Sequence, residues 1–138
     1  MENNLDIFFM KEALKEANKA YKKEEVPVGC VIVYNNEIIA RAHNTRHKNK
    51  SALDHAEIIA IKKANKKLNA WMLDEATIYI TLEPCEMCKL VIKEARIKNV
   101  YLNCSDDNHI GSASSIAQSR TIFKLFLHKS TFPFNTLH

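Results

Sequence analysis

Residues 77–103 read TIYITLEPCEMCKLVIKEARIKNVYLN. The β-branched and aromatic run from Thr77 to Leu82 predicts a strand. Pro84 suits the first position of a helix, which is expected to run to about Ala95. Val100 to Asn103 reads as a second, short strand. A strand, a helix and a strand in this order make a crossover, and a crossover sets its two strands parallel in one sheet.

The flanking sequence supplies the rest of that sheet. Val28 to Tyr34 is β-branched, Asn35-Asn36 tolerates the positive backbone angles of a tight turn, and Glu37 to His43 returns as a second strand. Before this hairpin, Met10, Ala13, Leu14, Ala17, Ala20 and Tyr21 recur at helical spacing. A helix over about 5–23 is expected there, closed off by Pro27. After the hairpin, residues 44–53 form a polar, basic loop. Asp54 is placed to cap a helix, with Glu57 completing a capping box. Ala56, Ile59, Ala60 and Ala64 give that helix an apolar face, and it should reach about Leu68. Residues 104–115 read as loop, 116–128 as a further helix, and 129–138 as an extended end. Helix, hairpin, helix, strand, helix, strand predicts an α/β layered domain around a mixed sheet.

The chain has 138 residues, 46% hydrophobic and 26% charged, which is the size and composition of one globular domain. Two Gly and three Pro exclude a collagen-like chain. No apolar run approaches the roughly 20 residues of a membrane span, and the start MENNLDIFFMKEALKEA has neither the basic nor the apolar part of a secretory signal. A soluble, cytoplasmic protein is expected. The net charge of +4 permits a polyanionic partner without demanding one.

The chemistry lies in two short stretches, His55-Ala56-Glu57 and Pro84-Cys85-Glu86-Met87-Cys88. Two cysteines three apart at a helix start can reach one ion, and the positive end of the helix favours thiolate. His55, in the first turn of another helix, offers a neutral nitrogen. Three protein ligands leave a tetrahedral Zn2+ one position for water, as in catalytic sites. Zinc lowers that water's pKa to about 7, and Glu57, two residues from a ligand, can take the proton and pass it on. This combination fits hydrolysis of an amidine-like carbon from which an amino group leaves.

Blander readings exist for each piece. A lone C-x-x-C can be redox-active or half of a structural zinc site. A structural site needs a fourth ligand, and His43, His47, Cys104 and His109 all lack finger-like spacing. Cys30 and Cys104 are expected to pack as small apolar residues. Asn44 reads as a strand-ending loop residue and Val28 as core.

H-x-E followed by P-C-x-x-C is the signature of zinc nucleobase deaminases. With Glu25-Val26-Pro27-Val28-Gly29, the hairpin, Asn44 and Thr81-Leu82-Glu83-Pro84-Cys85-Glu86-Met87-Cys88, the chain resembles the tRNA-specific adenosine deaminase family over about residues 5–111. The resemblance implies a three-layer α/β/α cytidine deaminase-like fold and conversion of a wobble adenosine to inosine in a tRNA anticodon stem-loop. It implies one Zn2+ per subunit, held by His55, Cys85 and Cys88, with Glu57 as proton shuttle. It also implies a homodimer, base contacts from Asn44, and Val28 lining the base pocket. A deaminase of free bases or nucleosides such as guanine or cytosine is the nearest alternative. A degenerate, zinc-stabilised RNA-binding homologue is another.

The sequence departs from the family in three places. The family's D-x-K-x-G nucleotide-contacting loop corresponds to Ser105-Asp106-Asp107-Asn108-His109-Ile110-Gly111, where either Asp106 or Asp107 fills the acidic position. Lys89-Leu90-Val91-Ile92 stands where small residues are usual. A single domain over residues 1–138 is expected, with an abbreviated or atypical C-terminal segment from about residue 115. Arg41, Arg46, His47, Lys48 and Lys50 gather beside Asn44, where a basic rim can hold phosphates.

Overall fold

The hairpin joins β1 (Gly29–Tyr34) to β2 (Glu37–His43) through Asn35 and Asn36, whose φ angles of 51° and 63° are those the two-residue turn requires. The computed structural model describes residues 4–104, of Cys104 the backbone alone, and the backbone of residues 121–126. Across the hairpin Ile32 faces Ala40 but Val33 faces Ile38, so a bulge interrupts the ladder there. On its other side β1 pairs antiparallel with β3 (Thr77–Ile80), which runs parallel to β4 (Asn99–Cys104). A fifth strand, β5 (Thr121–Phe126), pairs antiparallel with β4. The mixed sheet has the order β2-β1-β3-β4-β5.

Helices cover both faces. α1 (Asn4–Lys22) lays Phe9, Met10 and Ala13 on Val31, Val33 and Tyr79. α3 (Ala56–Leu68) and α4 (Glu86–Glu94) lie on the opposite face, where Ala56, Ala60, Ala64 and Ile92 pack on Ile32, Ile78, Ile80 and Val100. This is the three-layer α/β/α arrangement expected. No helix among the described residues is long and apolar enough to cross a membrane.

Several boundaries differ from the sequence expectation. α1 ends at Lys22, before Pro27, because Glu24 turns left-handed at φ 60°. Glu25 N–H then reaches Ala20 O and Glu24 N–H reaches Tyr21 O, which closes the helix end. Asn69 and Arg96, at φ 52° and 67°, close α3 and α4 in the same way. In a chain with two glycines these bends fall to ordinary residues, at a cost of roughly 1–2 kcal/mol each. A four-residue helix, α2 (Arg46–Asn49), interrupts the expected loop. Thr121–Phe126, expected within a helix, is strand β5. Its β-branched and aromatic residues suit a pleated surface, and the free edge of β4 offers backbone partners that an isolated helix would leave exposed.

α1 packs very closely on the start of β1. A Cβ at Gly29 would overlap the Ala13 carbonyl and the Ala17 amide, so only glycine fits. Tyr21, expected on the apolar face, is exposed, while Glu12 and Glu16 are buried there. Their charges are met from β2. Arg41 Nη1 donates to Glu12 Oε1 at 2.9 Å, and His43 Nδ1 lies 3.1 Å from Glu16 Oε1. Lys15 and Lys19 complete the pairs at 2.6 Å each.

Burial pushes the Glu16 carboxyl up, but Lys19 and His43 together outweigh it and hold the group below its ordinary 4.5. A lowered folded-state value means stabilisation that is complete above pH 4.5 and lost as the pH falls through that folded value. Glu16→Gln is therefore expected to cost about 1.5–3 kcal/mol at pH 7. In urea melts at pH 7, 5 and 3 the gap to wild type should shrink on acidification. A gap that stays constant down to pH 3 would contradict this account.

Candidate active site

β3 and β4 are parallel, and the chain leaving the carboxyl end of β3 passes through Thr81, Leu82 and Glu83 to the cysteines. Thr81 fixes that exit. Its Oγ1 accepts the Gly29 N–H at 3.0 Å, and its N–H donates to Gly29 O at 3.1 Å. Cys85 is the N-cap of α4 and His55 the N-cap of α3, both with extended backbone. Two helix starts therefore meet at one strand end, and the partial positive charge of each faces the same point.

These starts differ from the expected ones. Asp54 does not cap α3; its Oδ2 accepts from Asn49 Nδ2 at 2.7 Å, which ties it to α2. Glu57 forms no capping box and is instead buried, 3% exposed. Pro84 precedes the N-cap of α4 rather than opening the helix. His55 and Cys85 occupy the cap positions, where a backbone leaving the helical conformation aims the side chain away from the helix.

His55 Nδ1 lies 3.5 Å from Cys88 Sγ and 3.7 Å from Cys85 Sγ. The three donor atoms all fall within 4.8 Å of one another, and they form the one group of at least three candidate donors found among the described residues. Tetrahedral zinc with ordinary bonds to nitrogen and sulfur sets those atoms about 3.6 Å apart. The donor set fits zinc in chemistry and in spacing. Burial lowers the His55 pKa and the Arg46 charge lowers it further, while a hydrogen bond to the Ala52 backbone opposes them. The ring is held neutral, the form that binds metal. Burial pushes the Cys88 thiol well up, and the neighbouring Glu57 and Cys85 charges add to this. A thiol so placed becomes a thiolate with a cation beside it.

A cleft opens over the donors. Val26, Val28, Asn44 and Arg46 line it together with His55, Glu57 and Cys85. Burial raises the Glu57 pKa, which suits a carboxylate that must accept a proton. Asn44 is 4% exposed, and its Oδ1 has no hydrogen-bond partner among the described residues. A buried amide oxygen without a partner, on a residue that lines a cleft, leaves hydrogen-bonding capacity unused at the site. Cys30 is fully buried behind the cleft, where its Sγ donates to Ala56 O at 3.2 Å.

The structure thus brings Val28, Asn44, His55, Glu57 and Cys85 to one cleft, with Cys88 beneath. Asp106, Asp107, His109 and the Cys104 side chain lie outside the described residues. Of the other fourth-ligand candidates, His43 pairs with Glu16 on the far face, and His47 is not in the donor group. Arg41 also leaves the supposed basic rim, because it pairs with Glu12. Glu25 and Thr81 act here as well, and neither was singled out from sequence for the contacts it makes. Their partners lie 22 and 52 residues away, at distances no local pattern encodes.

The family model for the cytidine and deoxycytidylate deaminase zinc-binding region matches residues 3–104. The tRNA-specific adenosine deaminase of Bacillus subtilis (strain 168) is 48% identical over 101 residues, 73% of this chain and 63% of that protein. The tRNA-specific adenosine deaminase of Streptococcus pyogenes serotype M18 is 46% identical over 114 residues, 83% of this chain and 71% of that protein. The chain therefore spans about two thirds of the length of these curated relatives. Among solved structures, one from studies of A-to-I editing by tRNA:A34 deaminases superposes with a TM-score of 0.67 at 41% identity, covering 69% of this chain and 73% of that one. Guanine deaminase from Bacillus subtilis superposes with a TM-score of 0.68 at 36% identity, covering 74% and 64%.

Cys88→Ala is expected to lose zinc and lower the melting temperature, since a metal holding α3 to α4 contributes to folding directly. Zinc counted by mass spectrometry should be one per wild-type chain and near zero in the variant. Full occupancy in Cys88→Ala would remove Cys88 from the ligand set.

Proposed function

Since the chain belongs to the cytidine and deoxycytidylate deaminase family and, within it, to the tRNA-specific adenosine deaminases, we propose that it converts the wobble adenosine of a tRNA anticodon to inosine. One observation carries the reading most: a buried carboxylate, Glu57, lines the same cleft as the metal donors His55 and Cys85, together with Asn44, whose Oδ1 has no partner among the described residues. A structural zinc site has no use for either group.

His55, Cys85 and Cys88 would hold zinc with its fourth position open. Zinc there supplies a water of lowered pKa, so that a nucleophile is available at neutral pH. Glu57 takes a proton from the attacking water and delivers it to N1 of adenine as oxygen adds to C6. It then takes the remaining hydroxyl proton and gives it to the exocyclic nitrogen, which departs as ammonia and leaves the C6 carbonyl of inosine. Asn44 Oδ1 accepts a hydrogen bond from an N–H of the base or an O–H of the ribose. Val28 packs on the ring, and Arg46 at the rim attracts phosphate.

On this reading the substrate is an anticodon stem-loop, whose unstacked bases can enter a cleft, and the protein works in the cytoplasm. It works as a homodimer. Val26, which lines the cleft, exposes apolar surface, as does Leu53 two residues before His55, and a second copy would cover it. The likeness to guanine deaminase makes a free purine base the competing substrate.

The test is ammonia release from an anticodon stem-loop carrying adenosine at the wobble position, with free adenosine, cytidine and guanine in parallel. Turnover is expected on the stem-loop alone. Glu57→Ala should keep its zinc and lose about 10²–10⁴-fold in rate. Turnover of guanine alone would replace this reading with one of base salvage.

A further inference from the structure

Glu25 takes no part in the chemistry above, yet the residue is only 5% exposed and each carboxylate oxygen accepts a hydrogen bond. Oε1 accepts the His47 N–H at 3.0 Å, and Oε2 accepts the Lys48 N–H at 2.8 Å. These are amides of α2, for which Thr45 supplies no side-chain cap. Burial pushes the Glu25 carboxyl up, but the two amides and the His47 and Arg46 charges hold it below the usual range, so it is ionised and both bonds are charge-assisted. Its own N–H is fixed to Ala20 O at the end of α1.

The placement matters because of what adjoins each end of this contact. Glu25 leads directly into Val26 and Val28, which line the cleft, and its partners follow directly on Asn44 and Arg46, which line it too. Asn44 N–H donates to Val28 O at 3.1 Å, which joins the two segments once. The Glu25 carboxylate joins them again through His47 and Lys48.

We propose that Glu25 is a positioning residue for substrate: by binding the start of α2 it fixes the two cleft-lining segments, Val26–Val28 and Asn44–Arg46, relative to each other and so sets Asn44 and Arg46 toward the bound nucleotide. The substrate part of this proposal rests on the deaminase reading above. The bond itself does not.

Zinc-loaded wild type, Glu25→Ala and Glu25→Gln would be compared by amide hydrogen exchange and by kinetics on the stem-loop. Loss of the charged acceptor should speed exchange at His47 and Lys48 in Glu25→Ala by about tenfold or more. KM for the stem-loop should rise by about tenfold while kcat changes by less than about threefold, the pattern of a lost binding interaction. Glu25→Gln keeps one acceptor oxygen and should fall between wild type and Glu25→Ala in both measurements. Unchanged exchange at both amides would overturn the proposal. So would a joint fall in kcat, zinc content and melting temperature with KM unmoved, because that describes a general loss of structure. Wild-type protein that turns over no stem-loop would overturn the substrate part together with the deaminase reading. That result would appear before any substitution is made, and the exchange rates would still report the bond.

Discussion

Gly29 and Thr81 exchange two hydrogen bonds where β1 and β3 stop running side by side, and the active-site region is built outward from that pair. On one face of the sheet, the missing side chain at Gly29 lets the Ala13–Ala17 turn of α1 rest on the strand. On the other, Thr81 holds the chain that carries Cys85 and Cys88 toward His55. Because Thr81 uses both its hydroxyl and its amide, the exit from β3 has little rotational freedom. The spacing of the donor atoms follows from that restraint. Three donors within 4.8 Å, drawn from two helices, need a rigid connection between strand and helix more than they need any local propensity.

Charge is divided between the two faces. On the α1 face, the buried acids Glu12 and Glu16 are matched by Arg41, His43, Lys15 and Lys19. Tyr79 donates to Asp6 and stacks on Tyr101, so the acid near the start of α1 is satisfied as well. On the α3–α4 face, buried polar groups are left with capacity to spare. Among the described residues Asn44 Oδ1 has no partner, as is also true of Asn103 Oδ1 on β4, and the Glu57 carboxyl is shifted up by burial. Satisfied polar groups hold a fold, whereas groups with unused capacity bind ligands and move protons. Among the described residues, the ion pairs of the buried acids gather on the α1 face, and the candidate metal donors with Glu57 gather on the other.

The sequence made the framework legible wherever a local pattern decides the structure. Asn35-Asn36 between β-branched runs specified the hairpin, and the strand–helix–strand order specified the parallel pair. The candidate donor trio His55, Cys85 and Cys88 was legible because metal chemistry restricts residue type and spacing together, and the structure brings the three together. Other features depend on contacts distant in sequence. Glu24 ends α1 by adopting a left-handed conformation that its composition does not advertise. Asp54 looks like an N-cap, but Asn49 claims it. Residues 121–126 carry apolar residues compatible with helix, and the open edge of β4 makes them a strand. The role of Glu25 was illegible for the same reason, since a carboxylate that binds two backbone amides leaves no mark on the sequence of its partners.

X-ray absorption at the zinc K-edge tests the central claim most directly, because it counts the ligands without presuming a substrate. The site described here predicts two sulfur scatterers at about 2.3 Å and two lighter atoms at about 2.0–2.1 Å, one from His55 and one from solvent in the open position. A shell of three or four sulfurs, or one without sulfur, would show that the metal is held elsewhere and would contradict the account.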